Sequence, residues 1–222
     1  MDPGSIPELL LRHCRACLGD GGSPATDTRL EQVGEMRLAE NKAWMPFTAE
    51  QWMSASEVAF CWHARFKMAP LLTGVVEDAY ENGHGRLDAK MWGVIPVAHA
   101  RGLEIDRGEV QRYLAELPWN PTAILHNPHL HFAEGADGPV RVWCGDPETH
   151  VDFQFDPQGR ITRSFSRTRV RAGHGVAPWE GTFHDYAEFD GMWAPTRAEV
   201  AWHSAAGRFE YWRGRVTWFG AR

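Results

Sequence analysis

Glu57-Val58-Ala59-Phe60-Cys61-Trp62-His63-Ala64-Arg65-Phe66 is the stretch that decides the fold. Val58, Phe60, Trp62, Ala64 and Phe66 fall on one side of it, and Cys61, His63 and Arg65 on the other. A period of two is the mark of a strand with one apolar face. Residues 72–80 and 86–94 flank the turn Glu81-Asn82-Gly83-His84-Gly85, and Asn-Gly between two such runs reads as a hairpin. Further strand-like runs cover 140–144, 150–155, 160–170, 182–189, 193–203 and 208–219. Asp156-Pro157-Gln158-Gly159, Asp190-Gly191 and Ala205-Ala206-Gly207 supply the turns between them. A meander this long has to curl to protect its edges, which points to a half-barrel or open barrel.

Two stretches break the pattern. Residues 6–18 read as a short amphipathic helix with Ile6, Leu9, Leu10 and Leu11 near one face, followed by a Gly/Ser/Pro linker over 19–28. Residues 106–117 read as a second helix. Asp106 and Glu109 stand at capping-box spacing, Val110, Tyr113, Leu114 and Leu117 recur at helical spacing, and Pro118 ends the run. The expected organisation is an N-terminal helix and linker over 1–28, then one domain over 29–222. The fold class is mainly β, a curved antiparallel sheet wrapped around one inserted helix.

The 222 residues suffice to bury a sizeable core, and 43% hydrophobic residues is a globular composition. Lys plus Arg number 23 and Asp plus Glu 29, a net charge of -6, which disfavours a dedicated nucleic-acid binder. Eleven Trp and eleven His lean towards a ligand cavity furnished with acid/base groups. Cys14, Cys17, Cys61 and Cys144 are few and irregularly spaced. With no secretory leader and no run long enough to span a membrane, they suggest a cytoplasmic protein with reduced thiols. No G-x-S-x-G, P-loop or G-x-G-x-x-G occurs, so serine hydrolysis, nucleotide hydrolysis and dinucleotide redox are disfavoured and no cofactor is expected.

The segment Arg112-Tyr113-Leu114-Ala115-Glu116-Leu117-Pro118-Trp119-Asn120-Pro121-Thr122-Ala123-Ile124-Leu125 resembles the R-Y-L-A-E-x-x-W-x-P-T-A-L-L signature of an uncharacterised bacterial domain family. Phe60 to Arg65, Asp78 to Gly85, Pro178-Trp179-Glu180-Gly181 and Gly191 to Pro195 resemble its other landmarks, in order, over roughly residues 30–219. The resemblance implies a curved antiparallel sheet around a helix. That shape is similar to lipoprotein carrier proteins and to one enzyme of the bacterial violacein pigment pathway. Carriers and cofactor-free enzymes share it, so the fold alone does not choose between them. His63, His126, His129 and His131 depart from the signature.

Several groups carry candidate chemistry. Glu116 sits inside the signature beside Trp119; a carboxylate against Trp in a dry cavity would have a raised pKa and serve as general acid or base, and a solvated salt-bridge ladder with Glu109 and Arg112 is the bland alternative. His63 and Arg65 share a strand face and would supply an acid/base group and an anion clamp if that face lines the concavity. His126, His129 and His131 could meet at zinc, but Pro128 interrupts and no familiar ligand spacing fits, so no metal is expected. Cys14-Arg15-Ala16-Cys17 lies in a helix, which is wrong for a redox motif. Arg163, Arg167, Arg169 and Arg171 alternate along one strand as an anion clamp or a charged outer face.

Together these suggest a cofactor-independent biosynthetic enzyme that cyclises, isomerises or eliminates on an apolar intermediate. Glu116 with His63 or His203 would move protons, and Arg65 would hold negative charge. Trp62, Trp92, Trp119 and Trp179, with Tyr80, Tyr113 and Arg167, would contact the ligand. The rival is a non-catalytic carrier of a lipid or other hydrophobic ligand, and a third reading docks the arginine strip on an acidic protein. An enclosed pocket with convergent polar groups, an open apolar groove, and an exposed patch without a pocket tell the three apart.

Overall fold

A computed structural model of the chain describes residues 6–19, 26–69, 71–135, 138–171 and 175–221. The first half forms β1 (Asp27–Met36), β2 (Met45–Ser54), β3 (Phe60–Ala69), β4 (Leu72–Glu81), β5 (His84–Met91) and β6 (Ile95–Ala100). The second half forms β7 (His131–Glu134), β8 (Val140–Trp143), β9 (His150–Phe155), β10 (Ile161–Arg171), β11 (Gly175–Phe189), β12 (Met192–Ser204) and β13 (Gly207–Ala221). Each half is a meander, and β1 pairs with β13 to join them into one antiparallel sheet of order β6-β5-β4-β3-β2-β1-β13-β12-β11-β10-β9-β8-β7. The edge strands β6 and β7 do not pair with each other, so the sheet is curved but open.

Turn chemistry and bulges shape the curl. Asn82-Gly83 and Asp190-Gly191 both take positive φ at each residue, as the tight hairpin turn needs. Trp92-Gly93 does the same with φ of 52° and 74°, although Trp is an unusual choice there. Register shifts at Glu31/Gln32, Ser166/Arg169 and Val200/Ala201 add local twist.

The connection from edge strand β6 to the opposite edge strand β7 is helical, and this places helices inside the concavity. It comprises α2 (Leu103–Ala115), a 3-10 turn (Leu117–Trp119) and α3 (Pro121–His126). The expected start at Asp106 is three residues late: Gly102 caps α2, and the Asp106 carboxylate accepts the Gly85 backbone N–H at 2.6 Å instead. A tertiary bond to the β4–β5 hairpin has taken the group that local spacing assigned to a capping box. The short helix α3 was not legible as one. The N-terminal helix, α1 in the chain as a whole (Glu8–Leu18), packs on α3, and Leu10 and Cys14 belong to the main core with Tyr113, Leu114 and Ile124. The expected linker over 19–28 falls largely outside the described residues, and strand β1 already begins at Asp27.

The alternation read in β3 sets the faces. Phe60, Trp62, Ala64 and Phe66 are buried on the concave side, while Cys61 and His63 are half-buried and Arg65 is exposed on the convex side. Paired strands keep that parity, so Gln51 faces in with Trp62, and so does Asp78 across from it on β4.

Candidate ligand cavity

A cavity of about 220 Å³ lies between α2 and the concave sheet. Its walls are aromatic: Trp62, Trp119, Trp179, Phe183, Tyr211 and Trp212. Ala115, Gly181 and Ala198 leave the open space between the rings. Three indole N–H groups are committed to protein acceptors. Trp62 Nε1 donates to Gln32 Oε1 at 2.9 Å, Trp119 Nε1 to the Pro195 carbonyl at 2.8 Å, and Trp179 Nε1 to the Tyr211 hydroxyl at 3.1 Å. With those donors satisfied elsewhere, the rings offer apolar surface to the cavity.

One end is polar. Arg112 of α2 donates through Nε to Glu116 Oε1 at 2.9 Å and through Nη1 to Asp78 on β4. Gln51 Nε2 donates to the other oxygen of Glu116. The Arg112 guanidinium also lies over the rings of Phe60 and Trp62, at 5.0 and 5.2 Å. Burial opposes its charge, yet the carboxylates of Glu116, Asp78 and Glu109 outweigh that and hold its pKa above the ordinary value.

Behind this bridge, Glu109 lies buried beside Asp78, near enough for the two charges to repel each other. Burial raises the pKa of Glu109 well above the carboxylate range, and the Asp78 charge adds to it. Burial also raises Asp78, against the pull of Arg112. Of the two, Glu109 is therefore the more readily protonated. Sequence spacing had put it on a solvated helix face; its side chain is turned under the β4–β5 hairpin instead, against Gly85.

Four of the expected residues line the cavity: Glu116, Trp62, Trp119 and Trp179. The others stand elsewhere. His63 and Arg65 point to the convex face, His63 in a cleft with Glu50 and Trp218. His203 is also convex, with Nε2 3.2 Å from Glu180 Oε1, beside the Arg163 and Arg208 that pair with the same carboxylate. Pleat parity separates both histidines from Glu116 by the thickness of the sheet, so they cannot share proton transfer with it. Tyr113 is fully buried; its hydroxyl donates to the Ser54 carbonyl at 2.8 Å and accepts from Asn127 Nδ2 at 3.0 Å, outside the cavity lining. Tyr80 packs half-buried against the main core. Trp92 is 52% exposed in its turn. Arg167 is exposed over Phe165.

The register shift between Ser166 and Arg169 reverses the parity of β10. Arg169, not Arg167, thereby enters the cavity, with its guanidinium 4.5 Å from the Trp179 ring centre. An expectation of one basic face along 163–171 could not foresee this. Asp78, Gln51 and Arg112 were legible in principle, from strand parity with Trp62 and from helical spacing with Glu116.

His126, His129 and His131 are exposed, and among the described residues no three His, Cys, Asp or Glu side chains gather as metal ligands do. Cys14 and Cys17 are buried in α1, where burial pushes the Cys17 thiol up to about 12. No helix among the described residues is long and apolar enough to cross a membrane.

Residues 1–214 match the family of unknown function DUF6544. No curated protein matches the chain by sequence. Among solved structures, the fold is similar to a LolA superfamily protein from Nitrosomonas europaea, with a TM-score of 0.53 at 11% identity over 98% of this chain and 94% of that one. It is also similar to a putative outer membrane lipoprotein-sorting protein domain from Vibrio parahaemolyticus, with a TM-score of 0.50 at 9% identity over 88% and 85%. At such identities the likeness is one of fold.

Proposed function

The chain belongs to DUF6544, a family of unknown function, and we propose that it is a carrier that holds an apolar small molecule between α2 and the concave sheet without transforming it. The aromatic cavity carries this reading. An apolar cavity of about 150 Å³ is enough to hold a benzene ring, and the 220 Å³ here takes a ring with a short substituent or a medium-length chain. The structural likeness to a putative lipoprotein-sorting domain supports a holding role.

Catalysis by a cofactor-free cyclase, isomerase or lyase is the second reading. The observation in its favour is Glu116 in the cavity wall with Glu109, whose pKa burial raises, behind it. The carrier is preferred because both Glu116 oxygens already accept from Arg112 and Gln51, and among the described residues no histidine lines the cavity. A cytoplasmic setting is supported by the free thiols of Cys14, Cys17, Cys61 and Cys144.

Titration with 1-octanol tests the reading, followed by calorimetry and by the fluorescence of the cavity tryptophans. Saturable binding at one site is expected, with the alcohol recovered unchanged. A chain that shows no saturable response is not such a carrier.

A further inference from the structure

Among the described residues that line the cavity, Arg169 is the guanidinium whose hydrogen bonds the protein leaves open. It is 8% exposed, and its Nε and Nη1 are buried with no hydrogen-bond partner. Its surroundings explain why. Asp78 and Glu116 share Arg112, and neither they nor Glu109 reach Nε or Nη1 of Arg169. The Trp179 ring under the guanidinium fixes its plane but accepts no conventional hydrogen bond. Buried charged donors without acceptors are rare in folded proteins, and a bound oxyanion is one group that satisfies them. Next to it, the Tyr211 hydroxyl accepts from Trp179 and keeps its own proton to donate into the cavity.

We infer that Arg169, with the Tyr211 hydroxyl, receives an oxyanion, so that the cavity's ligand is a small amphiphile with a carboxylate or phosphate end and an apolar body among the tryptophans. The inference rests on the carrier reading and specifies its ligand. The β10 bulge is the device that serves it, since without that register shift Arg169 would point to solvent as Arg167 does.

The test is calorimetry on the full chain with octanoate, octyl phosphate and 1-octanol, repeated with Arg169→Gln and Arg169→Lys. At least one anion is expected to bind the wild type about ten- to a hundredfold more tightly than the alcohol, the gain from charge-assisted hydrogen bonds. The stronger of the two names the headgroup. Arg169→Gln should bring the anions down to the level of the alcohol measured on the same variant, and Arg169→Lys should keep part of the preference. Alcohol binding without any preference for an anion overturns this inference and leaves the carrier reading standing. A preference that survives in Arg169→Gln overturns it too. Wild-type protein that binds none of the three overturns the carrier reading itself. The wild-type comparison decides the matter even if a variant fails to fold.

Discussion

Arg112 Nε lies 2.9 Å from Glu116 Oε1, one turn along α2, and the same guanidinium reaches Asp78 on β4. This bridge fastens the helix to the sheet and forms the polar end of the cavity. Side chains of Arg112, Asp78 and Glu116 are only 14–15% exposed. Replacing such a pair by apolar residues is often harmless, whereas removing one partner strands the other.

Glu116→Ala is therefore expected to destabilise the protein by about 3 kcal/mol, the low end for a broken buried pair because Asp78 still holds Arg112. Glu116→Gln keeps an acceptor and should cost less. Urea unfolding measures both, and an Ala variant as stable as the wild type would show that the bridge is not structural.

Glu109 gives a pH signature. Its folded pKa is raised, so the folded state binds more protons than the unfolded one, and its contribution to stability is lost as pH rises above the ordinary carboxylate range. Glu109→Gln keeps the size of the side chain with no proton to lose. The variant should gain stability relative to wild type at pH 8 compared with pH 5, as read from urea midpoints. An equal difference at both pH values would contradict the raised pKa of Glu109.

His13 works in the opposite direction. It is fully buried in α1, and burial, helped by the Arg160 charge, lowers its pKa to about 3. Its Nδ1 accepts the Ile161 backbone N–H at 3.3 Å, which requires the neutral ring. Between about 6.5 and 3 the unfolded chain takes up a proton that the folded chain refuses. Stability should therefore fall by up to about 1.4 kcal/mol per pH unit on acidification through that window. His13→Asn should flatten the slope between pH 6 and 5, and an unchanged slope would sink this assignment.

Gly34 marks the seam between the first strand and the last. A Cβ there would sit 2.9 Å from Gly214 Cα and 2.7 Å from the Phe47 ring, and would also meet the Arg213 carbonyl. Backbone at that distance cannot step aside, so Gly34→Ala should cost about 1–3 kcal/mol. Thermal unfolding would show it as a clear loss, and a neutral substitution would mean that the β1–β13 pairing differs.

What the sequence disclosed and what it concealed follow from range. The apolar face of β3, the Asn82-Gly83 and Asp190-Gly191 turns and strand β9 are set by neighbours in the chain, and local patterns revealed them. The same alternation put Trp62 on the apolar face of β3 without telling which face lines the cavity, while Glu116 and Trp119 were found through the signature around them. Strand β6 was missed because Trp92-Gly93 does not look like a turn and because Ile95 and Val97 are exposed on an edge. Glu109 and Arg169 were misplaced for a different reason. One turns inward beneath a hairpin far off in sequence, and the other is flipped by a bulge that no periodicity announces. Which face of β3 held His63 depended on where α2 lies, a question the strand could not answer about itself.

The cavity is the centre of the account, and filling it is the most direct test. Ala198 lines it and is 3% exposed on β12. Ala198→Leu puts three carbons into the space the ligand needs. Calorimetric titration of wild type and variant with 1-octanol, each checked for folding by circular dichroism, should show affinity falling about tenfold or more in a folded variant. Equal affinities in two folded proteins would place the ligand elsewhere and contradict the account.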